Sequence, residues 1–376
     1  MRDTNNINQA RRVVDMSKNI SLLEPDAAPL TVLVKNIASM QCISPKFEWL
    51  ESELGARWDA INAGAGYAAG ITALVVDNDQ YFSVGDIVKV PRTGECMIIT
   101  AITAGTHTLT VVRGYGETAA AALVDNDPLV VVGNANAEGA GKREHKNTTE
   151  ANLYNYTQIF KTTVSLTGTA DASKLYGGKD RNWQRKVKGI EHLVDMERAF
   201  LFGERKEDTS GTTPKRTTRG LLKFLTQNNV DAGGALSEWE FETFCQAIFR
   251  YGSKKKLLLA SPLLVSVINT FAKNRLYMIP KDKTYGIAIT GFQSAHGELM
   301  IAKHNLLEGV IYGGYGIAID PDNIKYRFLE GRDTKLRTDI QANDLDGYED
   351  EYITEGGIQV MQPKTHGVLS GVTSVG

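Results

Sequence analysis

The chain has 376 residues and a mass of 41.2 kDa, enough for two or three domains. Its 42% hydrophobic and 23% charged content permits an ordinary globular core. With 42 Lys plus Arg against 44 Asp plus Glu, the formal net charge of −2 excludes a histone-like polycation and an acidic solvating tail. The three cysteines, Cys42, Cys96 and Cys245, are far apart and form no CxxC, so neither a disulfide framework nor a zinc ribbon is expected and a reducing compartment fits best. No apolar run nears the roughly 18 residues of a membrane helix. MRDTNNINQARRVVDM also lacks the apolar core of a signal peptide, so a soluble, intracellularly made protein is expected.

Residues 1–45 read as a polar, extended arm broken by Pro25, Pro29 and Pro45, with a strand only at Leu30–Val34. Such an arm either frays or lies against another surface. Residues 64–140 change character: three basic residues (Lys89, Arg92, Arg113) face eight acidic ones, and short β-rich runs alternate with turn residues. Ala73, Val76, Asp77, Asn78, Asp79, Val84 and Gly85 recur as Ala121, Val124, Asp125, Asn126, Asp127, Val132 and Gly133. Turn chemistry, in which Asn and Asp tolerate left-handed backbone, accounts for the echo more readily than duplication. The segment reads as a compact antiparallel β-module inserted into a larger domain.

Two strand-like runs follow, Leu153–Phe160 and Thr162–Thr169, and then the longest helical signal. Over Lys179–Glu207 the apolar stripe is Trp183, Val187, Ile190, Val194 and Leu201. Such a helix would span roughly 43 Å. Its charges oppose the macrodipole: Arg181, Arg185, Lys186 and Lys188 crowd the N-terminal half and Glu191, Asp195, Glu197 and Glu204 follow. Either they meet partners outside the helix or they line a solvated face. Gly203–Gly220, without an aliphatic residue, reads as a mobile linker or loop. An α/β region comes next: a Ser237–Glu240 capping box opens a helix that ends at Gly252. Leu257–Ala260 is a buried strand, and Ser261-Pro262 starts a helix to about Asn274. Strands return from Gly297 onward.

Catalytic chemistry is missing from these patterns. GNANAEGAGKR (133–143) has Asn136 where a phosphate loop needs glycine and Arg143 where it needs Ser or Thr. YGGYGIAI (312–319) places Ile319 at the third glycine of a dinucleotide fingerprint. The Asp-rich turns at 77–79 and 344–347 lack the closing glutamate of an EF-hand. The six histidines show no HExxH or HxH, and no GxSxG occurs. The small basic clusters Lys142–Lys146 and Lys215–Arg219 have no interleaved aromatics of the kind that stack on single strands. No catalytic, cofactor or metal residues are assigned, which shifts the expectation from enzyme to scaffold or assembly protein.

The order of these features resembles the Hong Kong 97 type of tailed-phage major capsid protein, and within it a family of phage major head proteins long catalogued as a domain of unknown function. The residues carrying the resemblance are NYTQIFKTTVSLTGTA (155–170), WQRKVKGIEHLVDMERAFLFGE (183–204) and TTRGLLKFL (217–225). They continue with GFQSAHGELMIAKHNLL (291–307), YGIAIDPDNIKYRFLEGRDTK (315–335) and ITEGGIQVMQPKTHGVLSGV (353–372). It covers residues 150–372 well and 1–60 loosely, and the 64–140 module departs from the minimal plan.

The resemblance implies an α+β capsid fold with an N-terminal arm (1–45), an extended loop with flanking strands (46–63 and 141–175) and the inserted module (64–140). A spine helix and loop (176–219), an apical α/β domain (220–330) with pore-lining loops around 277–297, and returning peripheral strands (331–376) complete it. It further implies self-assembly into hexamers and pentamers of an icosahedral head in the virion, made in the host bacterial cytoplasm. Portal, scaffolding and decoration proteins would be partners, and packaged double-stranded DNA would be held without sequence readout. Arg2, Arg11, Arg12, Arg181 and Arg185 are the candidate DNA-facing charges. Neither partner of the Lys–Asn crosslink known in one relative matches here by motif, so no covalent crosslink is expected. A cellular encapsulin-like nanocompartment shell is the alternative; a carbohydrate-binding or enzymatic role for 64–140 ranks lower because its aromatics are only Tyr67, Tyr81, Phe82 and Tyr115.

Overall fold

The computed structural model describes residues 28–143, 150–173, 180–271, 276–278 and 289–376. They form two compact units: Leu50–Ala151, and the rest of the described chain.

The larger unit is organised around two sheets. One has the strand order Ser39–Cys42, Ile324–Leu329, Gly347–Val360, Gln158–Thr167, with Lys335–Arg337 also paired to Gly347–Val360. Its first pair is parallel and the others antiparallel. Gly347–Val360, fourteen residues long, is buried almost continuously from Asp350 onward because elements cover both of its faces. Gly356 and Gly357 are needed there: a Cβ would stand 2.7 Å from the Tyr326 hydroxyl at the first and 2.7 Å from the Tyr156 carbonyl oxygen at the second.

The helix Asp180–Phe202 packs on this sheet; at 1.5 Å per residue its 23 residues span about 34 Å. Of the expected stripe only Leu201 is fully buried; the buried face is His192, Met196, Glu197, Phe200 and Leu201. The stripe is rotated because polar partners, not only apolar ones, hold this helix down.

The second sheet has seven strands in the order Asn229–Leu236, Gly367–Val375, Gly316–Ile319, Lys255–Ala260, Glu298–Lys303, Ile289–Gln293, Leu276–Met278. Helices Glu238–Phe249 and Pro262–Phe271 pack on it through Phe241, Phe244, Ile248, Leu264 and Ile268. The Ser237–Glu240 capping box forms as expected, and the Ser261 hydroxyl accepts from the Leu264 amide at 3.2 Å. The domain boundaries expected from sequence shift. Gly367–Val375 belongs to this sheet rather than to the peripheral strands, and Ile324–Leu329 to the other sheet rather than to the apical region, so the chain crosses between sheets at Asp320–Asn323.

Three local readings are corrected. Leu30–Val34 is not a strand but part of a helix, Pro29–Ile37, whose first turn carries the proline that pre-sets helical φ. Gly203–Gly220 is not a free loop: Lys206–Asp208 pairs with Lys215–Thr217, and Thr218 is fully buried. Leu153–Thr169 becomes the strands Ala151–Tyr156 and Gln158–Thr167, broken at buried Thr157, and a short helix Gly168–Ala172.

The smaller unit is wider than the expected 64–140. Its antiparallel sheet runs Trp58–Ala60, Pro128–Asn134, Asp86–Lys89, Cys96–Thr103, Thr108–Val112, Ala73–Val75. The end strands meet through an Ile61–Val76 bridge, with Asn62 N donating to Val75 O at 2.9 Å, so the sheet closes on itself. Closure removes the exposed edges that invite aggregation, and it requires Trp58–Ala60, which lies outside the acid-rich stretch. Ile61, Leu74, Phe82, Val88, Met97, Leu109 and Leu129 fill the interior.

Candidate functional site

The cavities do not point to a substrate. Among the described residues two surface clefts stand out, of about 220 Å³ beside Asp231, Tyr315 and Ser370 and about 340 Å³ beside Asp171, Gln341 and Asp346; in the first the Ser370 hydroxyl donates to Val230 O at 3.5 Å rather than to Asp231. Among the described residues no group of three His, Cys, Asp or Glu side chains could hold a metal ion. The unusual chemistry lies instead in buried polar clasps that tie distant segments to the long helix and to the sheet crossing.

The first clasp is Glu197. Fully buried, its Oε1 accepts from Leu30 N at 2.7 Å and its Oε2 from Thr31 N at 2.6 Å and Thr31 Oγ1 at 2.5 Å. Two free amides at the start of the Pro29–Ile37 helix thus meet a carboxylate, where the helix dipole favours an anion. His304, also fully buried, completes it: its Nδ1 accepts from Leu306 N at 3.3 Å, which leaves Nε2–H to donate to Glu197 Oε1 at 2.6 Å.

The second clasp is His192. Its ring nitrogens lie 2.9 Å from Thr162 Oγ1 and 2.8 Å from Thr354 Oγ1, and burial, with Lys35 nearby, pushes its pKa down. The chain of contacts continues from Thr354 to the Thr334 hydroxyl, from Thr334 to Lys35 Nζ at 2.5 Å, and on to Asp333 and the Tyr326 hydroxyl.

The third clasp explains the reversed charges of the helix. Arg181 Nε and NH2 donate to the two Asp350 oxygens at 3.0 and 2.7 Å, Arg185 Nε donates to Oδ2 at 2.8 Å, and Arg181 also reaches Asp339 at 2.7 Å. Burial alone would push the Asp350 carboxyl up, but the two guanidinium groups hold it well below the usual carboxylate range. These arginines do meet partners outside the helix. Their placement as DNA-facing charges is accordingly weakened, since carboxylates of the same chain match them. Arg2, Arg11 and Arg12 lie outside the described residues.

At the sheet crossing, fully buried Lys256 donates to Tyr251 O at 3.0 Å, to Thr365 O and to Asp320 Oδ2 at 3.5 Å; burial lowers its pKa. Asp320 N donates to His366 Nδ1 at 3.1 Å and His366 Nε2 donates to Met361 O at 3.1 Å. Gly252, with φ of +81°, leaves room that a Cβ would take 2.3 Å from Asp320 Oδ2.

In the smaller unit five buried carboxylates are matched locally. Glu95 accepts from Arg113 Nε and NH2 at 2.7 and 2.8 Å, Asp127 meets Arg92 at 2.6 Å and Asp86 meets Arg143 at 2.7 Å. Asp79 meets His107 and Asp59 the Asn78 amide, each at 2.5 Å. Asn126, at φ of +64°, is a left-handed turn residue, but its counterpart Asn78 is extended at φ of −145° and caps a short 3₁₀ turn, so the left-handed reading of the echo holds on one side only.

Sequence reading missed Glu197, His304, Lys256, Asp320 and His366. The signal for Glu197 was present in outline: a carboxylate at helical spacing between Met196 and Phe200, on a face that otherwise packs inward.

The comparisons with known proteins show similarity to phage capsid proteins. It is 22% identical over 334 residues to the major capsid protein of Pseudomonas phage PaMx41, across 81% of this chain and 79% of that one. Among solved structures it is similar in fold to the capsid of a native GTA particle, with a TM-score of 0.52 at 10% identity over 97% of both chains. It is likewise similar to Mycobacterium phage Bobi, with a TM-score of 0.52 at 8% identity over 98% of both chains. The fold is thus the Hong Kong 97-like capsid fold, α+β, with the long helix as its spine. The family profile described as SU10 major capsid protein matches residues 2–373, and the chain therefore belongs to that family of phage major capsid proteins.

Proposed function

We propose that this chain assembles through copies of itself into hexamers and pentamers that close an icosahedral head around the double-stranded DNA of a tailed phage. The observation that carries this reading is a capsid-family match running through nearly the whole chain, module included. The buried clasps support it, since a shell subunit must keep its shape while contacts form on several sides. Its role is geometric, without a catalytic step. The subunit is made in the host bacterial cytoplasm and comes to reside in the virion, with portal, scaffolding and decoration proteins as partners. Arg2, Arg11 and Arg12 serve as inner-surface charges toward DNA, while Arg181 and Arg185, matched by Asp350 and Asp339, add little free charge. The closed β-module adds stability to the shell.

Expression of the chain alone followed by negative-stain microscopy tests the reading. Closed shells, or five- and six-membered rings, are expected. A monodisperse monomer at high concentration overturns it.

A further inference from the structure

Among the described residues, two arginines at the foot of the spine helix make no hydrogen bond to a carboxylate. The Arg205 guanidinium carbon lies 3.7 Å from the centre of the Tyr154 ring, and its NH1 donates to Tyr154 O at 2.7 Å. Arg219 donates its backbone amide to Asn155 Oδ1 at 2.8 Å; its guanidinium carbon lies 4.7 Å from the Phe224 ring centre, and its NH2 donates to Lys223 O. Both are thus anchored beside Tyr154–Asn155, half-buried and fixed in direction. Burial first, and then the neighbouring Arg205 charge, lower the Arg219 pKa, and the Glu204 carboxylate offsets them only in part.

The nearby carboxylates are engaged elsewhere: Glu48 with Lys46, Glu204 with Lys223 at 2.5 Å and Glu207 with Arg216 at 2.8 Å. Two like charges held together and partly desolvated oppose folding unless something else meets them. Each guanidinium has five N–H donors and uses one of them within the described chain, so flat, stacked forks remain for an oxyanion.

We propose that Arg205 and Arg219 form a preformed seat for a carboxylate side chain of a second copy of this chain. The charge distribution favours that source over a nucleic-acid phosphate. Residues 50–151 hold 13 acidic against 7 basic residues, and the remainder 35 basic against 31 acidic. The acid-rich module of one copy therefore attracts the basic body of another. Non-specific DNA binding uses exposed cations strung along a surface, whereas these two are stacked, pinned and half-withdrawn from water. A planar carboxylate matches the fork in two parallel hydrogen bonds.

The inference rests on the shell reading above, and its test separates the two. Subunits and DNA-free shells of the wild-type chain are treated with phenylglyoxal, and modified arginines are mapped by peptide mass spectrometry. Arg205 and Arg219 should be protected at least about tenfold in shells relative to free subunits. Equal reactivity in both states overturns the seat while leaving the shell reading intact; failure of the wild type to assemble sinks the shell reading itself. The double variant R205Q/R219Q should keep the wild-type circular dichroism spectrum and raise the critical concentration for assembly by about tenfold or more. If it assembles empty shells at wild-type concentration yet fails to retain DNA, the oxyanion is a phosphate and the carboxylate assignment is wrong.

Discussion

Replacing Glu197 with Gln keeps the side chain's shape and removes the charge that holds the start of the Pro29–Ile37 helix. The carboxylate accepts four hydrogen bonds, from Leu30 N, Thr31 N, Thr31 Oγ1 and His304 Nε2, in a fully buried setting. An amide offers one oxygen. Turned toward Thr31, its NH2 opposes the Thr31 amide; turned the other way, it opposes Leu30 N–H and His304 Nε2–H. If His304 changes tautomer to relieve this, Leu306 N–H loses its acceptor. At least one buried donor is left unpaired at about 1–3 kcal/mol. Loss of the anion at the helix N-terminus adds about 1 kcal/mol. The expected cost is about 3 kcal/mol, which corresponds to roughly 100-fold faster opening. Hydrogen exchange of peptides covering 29–37 in the unassembled subunit reads it directly. Protection within about threefold of wild type in E197Q would refute the reasoning, because the helix would then be held by its apolar contacts alone.

D350N should cost about 2 kcal/mol by leaving Arg181 and Arg185 without their shared anion. Because the folded Asp350 carboxyl is held low, its contribution is full above the unfolded value near 4 and fades steadily as pH falls below it, so the gap between D350N and wild type in urea titrations should shrink from pH 4 to pH 2; a gap of unchanged size across that range contradicts this. His366 is buried and held at about 4, burial being the main cause, against about 6.5 when unfolded. Stability is then full above pH 6.5 and declines by up to roughly 3 kcal/mol as pH drops to 4, with His192 adding in the same direction. H366Q should flatten that slope, and an unchanged slope would assign it elsewhere. R113A strands the buried Glu95 carboxylate at a cost of about 3–5 kcal/mol. Limited proteolysis should then cut first within residues 50–151 while exchange protection of 29–37 stays as in wild type; a wild-type cleavage pattern would show that the pair is dispensable.

Much of the fold is written locally. The Ser237–Glu240 box, the Ser261 cap before Pro262 and the apolar strand Leu257–Ala260 need only neighbours a few residues away, and each forms where the sequence places it. The same holds for the β character of the module, whose turn residues and alternating apolar positions carry short-range information. The order of segments along the chain was also legible, and with it the family.

What the sequence could not settle are choices made by partners far along the chain. Leu30–Val34 has the branched residues of a strand, yet it is helical because its first amides find Glu197, 166 and 167 positions on. The arginines at the head of the spine helix oppose its dipole, and only Asp350, 165 and 169 positions later, makes that arrangement favourable. The module extends back to Trp58 because closing a sheet takes a strand whose own sequence does not announce the need. Local propensities amount to tenths of a kcal/mol per residue, whereas a buried charge left unpaired costs several. Where the two conflict, tertiary pairing decides.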